Sequence, residues 1–215
     1  MDSEIWWDDV RQAYAAAHDR SWGPNDQAAV MGANSAAWSR TMRQRLELDL
    51  DPAVIERAIV DGVVERYRRE GPPSIPGAIE AVERIAADHP VAVASSAHRE
   101  VIDAALEAIG LAHRFTVVVS SDEVEHGKPA PDVYLETARR LGALPEACLV
   151  VEDSRNGVLA ARAAGMTVVL VPNTSVPPAP GTHDLADVVL ERLADLEPAA
   201  VVARTGDRAT VGGEI

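Results

Sequence analysis

Three short stretches carry residues whose types and spacing could do chemistry. The densest is Leu149-Val150-Val151-Glu152-Asp153-Ser154, where an apolar run stops at two adjacent carboxylates. Neighbouring carboxylates repel and resist desolvation, so they call for a cation or a proton. A hard cation such as Mg²⁺ takes oxygen ligands and leaves room for a substrate phosphate. Glu152 and Asp153 are therefore candidate metal ligands. The same residues also suit a helix start, because Asp and Ser cap helices and acids there suit the dipole. The stretch alone leaves metal site and cap open.

The second stretch is Val91-Ala92-Val93-Ala94-Ser95-Ser96. Hydroxyls of Ser95 and Ser96, at the end of an apolar run and before a helix, can join its exposed amides in binding an anion. An ordinary N-cap uses serine in the same way. The third is His126-Gly127-Lys128-Pro129-Ala130-Pro131-Asp132. Gly127 permits a tight turn, while Pro129 and Pro131 stiffen the approach to a helix. A lysine held there can neutralise a phosphoryl oxygen as a point charge. Most lysines are instead solvated at the surface. Every other Lys or Arg position here is arginine, which favours a specific use for Lys128.

Stepping outward, the elements that would position these residues follow a strand–helix alternation from Ile75 onward. Helices are expected over 77–87, 100–109, 131–141 and 157–164, and strands over 91–94, 115–119, 148–151 and 167–171, with an edge strand near 187–190. Such alternation implies a parallel sheet covered on both faces. The paired acids then sit at the carboxyl end of a buried strand, where open α/β sheets bind ligands. The first seventy residues read as helices, near 4–19, 26–31, 35–47 and from Pro52 to Gly71. Asp51 caps the last, and Val54, Ile55, Ala58, Ile59, Val63 and Tyr67 share one face. They suggest a small bundle. Its four tryptophans, Trp6, Trp7, Trp22 and Trp38, are expected mainly in the core, with a substrate cleft as the alternative. The domain reading is a helical domain over 1–74, a Rossmann-like α/β core over 75–198 and a frayed tail over 199–215.

Composition narrows the partners. With 20 basic and 34 acidic residues the net charge is -14, which argues against nucleic acid or an anionic membrane. A small anion is still compatible, because a bound Mg²⁺ and one lysine reverse the local field. Cys148 is the only cysteine, lies in an apolar run and reads as core. No apolar run approaches the ~20 residues of a membrane span. A cytoplasmic monomer or weak dimer is the expectation.

Hydroxyl, ammonium and paired acids, in that order, each after its own strand, form a more specific pattern than any one member. The pattern resembles the haloacid dehalogenase-superfamily phosphohydrolases, in the branch of β-phosphoglucomutase and phosphoglycolate phosphatase. Val91–Ser96 resembles the family's second motif, Gly127–Asp132 its third, and Val151–Ser154 with Gly157, Ala160, Ala161, Ala164, Gly165 and Met166 its fourth. The resemblance implies that Ser95 and Lys128 act on phosphate, that Glu152 and Asp153 hold Mg²⁺, that the helical part is a four-helix cap, and that the substrate is a small phosphorylated metabolite. It also implies catalysis through an aspartyl-phosphate.

One part of the family pattern does not occur. The family opens on a strand ending in Asp-x-Asp-Gly, whose first Asp is the nucleophile, and that motif is soon followed by Asp-Ser-Glu. Here Asp2-Ser3-Glu4 matches the latter and Asp-x-Asp-Gly is found nowhere in the 215 residues. The expectation is that the native start lies upstream, which the coding DNA before Met1 tests, and that these residues alone have little activity. Asp2 is a poor substitute nucleophile, and Asp8 and Asp9 read as solvated. Rival readings are a catalytically dead Mg²⁺-, phosphate- or partner-binding homologue and a sugar phosphomutase. A phosphoacceptor signalling domain has no helical insertion, and the metal pair disfavours a dehalogenase. In a chain with its nucleophile restored, Lys128→Ala and Asp153→Asn are each expected to lower turnover by orders of magnitude while leaving the fold intact.

Overall fold

The computed structural model describes residues 3–30, 33–173 and 176–201, in two compact units. Asp2 and the tail beyond residue 201 lie outside the described residues. The first unit spans residues 1–74, 95–112 and 120–122; the second spans 75–94, 113–119 and 123–215.

The first unit is helical: α1 (Glu4–Ala17), α2 (Pro24–Val30), α3 (Ser35–Arg45), α4 (Pro52–Glu70) and α6 (Arg99–Ala108). The Asp51 side chain accepts the Ala53 N–H at 2.9 Å, Pro52 pre-sets the first turn, and Gly71 ends α4 at φ 70°. Ile55, Ile59, Val60, Val63, Val64 and Tyr67 form the buried face of α4. They pack with Trp22, Trp38, Met42 and Leu46. Trp22 and Trp38 are core, as the spacing suggested, whereas Trp6 and Trp7 are half-buried. Val101, Ala104 and Ala105 of α6 join the same cluster, which is why this later segment groups with the helices. Asp9 is paired with Arg66, so it is not simply solvated.

The second unit holds α5 (Ala78–Ala86), β2 (Phe115–Ser120, all but its last residue), α7 (Asp132–Leu141), β3 (Leu149–Glu152), α8 (Arg155–Ala163), β4 (Thr167–Leu170) and β5 (Val188–Val189), with most of β1 (Val91–Ser95). β3, β4 and β5 are parallel, in that order, with Leu149 opposite Thr167 and Glu152 opposite Leu170. α8 returns over them, so Val158, Ala160 and Ala161 bury against Val150, Val168 and Leu170. Small alanines let that helix approach closely.

The expected single sheet is divided. Among the described residues β1 pairs only with β2, and β3 only with β4. β1 is half-buried along its whole length and Val151 of β3 is 39 % exposed. A parallel strand covered on both faces would bury these aliphatic residues. Cys148 also departs from the expectation. It lies before β3, is half-buried, and its Sγ reaches the Leu144 carbonyl at 3.3 Å. No helix among the described residues is long and apolar enough to cross a membrane.

Candidate active site

β3 delivers Glu152, and the two residues after it follow on the turn into α8. Side chains alternate along the strand, so Val150 and Glu152 face inward while Val151 faces out. Glu152 is only 8 % exposed, and a carboxylate so buried must be neutralised. Lys128 Nζ lies 2.5 Å from Glu152 Oε1, and Tyr134 Oη donates to the same oxygen at 2.5 Å. Oε2 accepts from Ser154 Oγ at 2.9 Å and from the Asp153 and Ser154 amides at 3.2 Å. Burial pushes the Glu152 carboxyl up, but the Lys128 charge and the bonds from Lys128, Tyr134 and Ser154 outweigh it, and the net direction is down.

The two readings of this stretch fall on different residues. Ser154 is the helix cap: its Oγ accepts the Gly157 N–H at 3.1 Å. That bond starts α8 at Arg155, two residues earlier than periodicity indicated. Glu152 is a buried anion with its own cation. Gly157 is required by close approach, since a Cβ there would land on the Glu152 carboxyl.

Lys128 is the only lysine in the sequence, and its side chain is 10 % exposed, so it is no solvated surface lysine. Its ammonium donates to the Ala94 carbonyl at 3.2 Å as well as to Glu152, and stands 4.7 Å from the centroid of the Tyr134 ring. Two of its three N–H donors are thus used among the described residues, leaving one for an incoming anion. Asp153 is half-buried beside this pair. Its carboxyl is raised above the usual range, first by burial and then by the charge of Glu152, with Lys128 pulling the other way. Such a carboxylate gains from a cation.

The donor chemistry suits Mg²⁺. Among the described residues no group of three or more His, Cys, Asp or Glu forms a closed metal cage. Mg²⁺ is usually held by one or two carboxylates plus substrate phosphate and water. Glu152, expected as a ligand, has both oxygens taken by Lys128, Tyr134, Ser154 and two amides, so Asp153 is the carboxylate left to begin such a shell.

Ser95 ends β1 and belongs to the other unit. Its Oγ accepts the Ala97 N–H at 3.1 Å, so it holds the turn, while the N-cap of α6 is His98. Ser96 is exposed. The structure therefore brings Lys128 and Glu152 into contact with Asp153 beside them. It adds Tyr134, Ser154 and Gly157, to which sequence reasoning gave no role in the site. Tyr134 had a signal, being a polar-tipped aromatic in the first turn of the helix after the lysine loop.

Tyr134→Phe removes one hydrogen bond to a buried charge. The expected loss is about 1.5–3 kcal/mol, seen as a lower melting temperature. Glu152 lies below its unfolded value, so its contribution is full above about pH 4.3 and fades as pH falls through the depressed folded value. Weakening it makes the variant unfold at a higher pH on acid titration than the parent chain.

The family model described as haloacid dehalogenase-like hydrolase matches residues 2–171. The chain belongs to the haloacid dehalogenase-like hydrolases. It is 35 % identical over 147 residues to the fructose-1-phosphate phosphatase YqaB of Escherichia coli, covering 67 % of this chain and 77 % of that protein. It is 31 % identical over 196 residues to the bifunctional riboflavin kinase/FMN phosphatase of Arabidopsis thaliana, covering 87 % of this chain. There the chain spans about half of the relative, 49 % of its length. The crystal structure of CbbY from Rhodobacter sphaeroides with phosphate superposes with a TM-score of 0.81 at 24 % identity, over 94 % of this chain and 93 % of that one. That likeness shows the shared α/β fold.

Proposed function

We propose that this chain is the body of a Mg²⁺-dependent phosphatase of small phosphomonoesters. Ser95, Ser96 and Lys128 bind the phosphoryl group, Asp153 holds the ion while Glu152 holds Lys128, and helices of residues 1–74 act as the cap. The observation that carries the reading is the buried Lys128–Glu152 pair with Asp153 next to it. A buried ion pair of this kind costs desolvation, and a purely structural core is usually as stable with apolar residues instead. The phosphatase relatives support the same reading.

Each residue has a definable task. Glu152 fixes the Lys128 ammonium, and Tyr134 and Ser154 fix Glu152. The third N–H of Lys128 meets a phosphoryl oxygen and offsets charge that grows in the transition state. Asp153 would hold Mg²⁺, which would supply Lewis-acid polarisation of a phosphoryl oxygen. The covalent step of the family needs an Asp-x-Asp-Gly nucleophile, and none of the 215 residues is assigned that part.

The test is release of inorganic phosphate from a panel of small phosphomonoesters, with Mg²⁺ and with chelator. It is run on these 215 residues and on the same residues preceded by an Asp-x-Asp-Gly strand taken from a phosphatase relative. Mg²⁺-dependent release by the extended chain is the expected result. Retained binding with no turnover in either would favour the non-catalytic homologue instead.

Asp153→Asn gives a second check. The raised carboxyl of Asp153 makes it a destabilising charge at neutral pH, a penalty relieved as pH falls through its folded value. In chelator at neutral pH the variant should melt about 2–4 °C higher, equivalent to roughly 1 kcal/mol. It should also lose the Mg²⁺-induced rise in melting temperature, which at 100 times the dissociation constant is worth about 2.7 kcal/mol in the parent chain.

A further inference from the structure

His98 is held at both ring nitrogens. It stands three residues past Ser95, at the N-cap of α6, within the helical unit. Nδ1 lies 2.9 Å from Asp122 Oδ2, in the turn after β2, and Nε2 lies 3.0 Å from Glu56 Oε1 on α4. The second contact is a close charge pair rather than an aligned hydrogen bond. Neutral imidazole offers one N–H and one lone pair, and a lone pair facing a carboxylate is repelled. Imidazolium alone suits both neighbours.

The surrounding charges agree. Asp122 and Glu56 face the ring, and Glu100 of α6 adds a more distant negative charge. Arg57 of α4 takes up Glu100 together with Asp61, so it is spent on those acids. The Asp122 bond comes first among the causes that raise the His98 pKa, against partial burial.

The same turn is laced at other points. Ser95 Oγ accepts from Ala97 N at 3.1 Å, and the Ala97 carbonyl accepts from Ser120 Oγ at 2.7 Å. Ser120 Oγ in turn accepts the Asp122 N–H at 3.1 Å. The Ser95–His98 and Ser120–Asp122 turns are thus joined through Ala97 and through His98. Glu56, which His98 also meets, reaches Ser39 Oγ at 3.5 Å.

We propose that His98 is the positioning residue of the Ser95–Ser96 turn: as imidazolium it fixes that turn against Asp122 and Glu56, and its deprotonation loosens the turn and weakens oxyanion binding there. The proposal rests on the reading of Ser95 and Ser96 as phosphate-binding. Its sign follows from the raised pKa. The clamp is complete below the unfolded value near 6.5 and is lost as pH rises through the higher folded value.

The experiment is calorimetric titration of the 215-residue chain with sulfate, whose charge is constant across the range used. Affinity should fall about tenfold between pH 5.5 and pH 9. His98→Gln should flatten that profile. Asp122→Asn is the discriminating variant, because it keeps the imidazole and removes a negative charge near an anion site. Positioning predicts that it weakens sulfate about tenfold at pH 5.5, whereas simple Coulomb attraction predicts tighter binding. Tighter or unchanged binding in Asp122→Asn overturns the proposal. Unchanged binding in Ser95→Ala overturns the phosphate reading of the turn instead. If His98→Gln melts too low to titrate, exchange protection of the Ala97 amide in the parent chain serves. After correction for intrinsic rates it should drop about tenfold across the same range, and constant protection would count against the clamp.

Discussion

Lys128→Ala is expected to lower the melting temperature by about 6–20 °C, which corresponds to roughly 3–5 kcal/mol for a buried pair stripped of one partner. Sequence reasoning expected this substitution to spare the fold. The structure changes that expectation, because the ammonium is the cation that offsets a carboxylate only 8 % exposed. Without it, burial dominates at Glu152 and the carboxyl takes up a proton well above its usual range. The variant's deficit should therefore shrink as pH falls toward 5, the reverse of ordinary acid sensitivity. Lys128→Met combined with Glu152→Gln should recover much of the loss, giving a coupling above about 1 kcal/mol in the double-mutant cycle. A single variant that melts like the parent would show that the pair is not buried as described.

Gly157→Ala has the second large effect, and its sign is the informative part. Within a helix, replacing glycine by alanine ordinarily stabilises by up to about 1 kcal/mol. Here the new methyl meets the Glu152 carboxyl, which is tied to Lys128, Tyr134 and Ser154 and has no easy rotamer to escape into. Overpacking of this kind costs about 1–3 kcal/mol, so the melting temperature should fall by about 2–12 °C. The Mg²⁺-induced stabilisation should fall with it, since the carboxylate moves. A more stable variant with normal Mg²⁺ response would show that Glu152 sits elsewhere.

Much of this was legible before any coordinates. The α4 face of Ile55, Ile59, Val63 and Tyr67, with its Asp51 cap and Gly71 stop, follows from periodicity and terminal chemistry alone. The strand at Leu149–Val151 and the acids after it follow from an apolar run that ends in charge. The family was also legible, because three motifs fall in order after three strands, and the family match over residues 2–171 agrees. What was not legible depends on contacts between distant residues. Tyr134 meets Glu152 across 18 positions, and Ser120 meets Ala97 across 23. No local pattern encodes such pairings.

The central claim is that the acids beside Lys128 form one Mg²⁺ and phosphate site. Linkage tests it most directly, because two ligands of one site must alter each other's affinity by the same factor. The measurement is calorimetric titration of inorganic phosphate at constant neutral pH, with and without saturating Mg²⁺, on the parent chain and on Asp153→Asn. The account predicts phosphate binding on the order of tenfold tighter with Mg²⁺, an equal gain for Mg²⁺ in phosphate, and no coupling in the variant. Equal phosphate affinity with and without Mg²⁺ in the parent chain would contradict it.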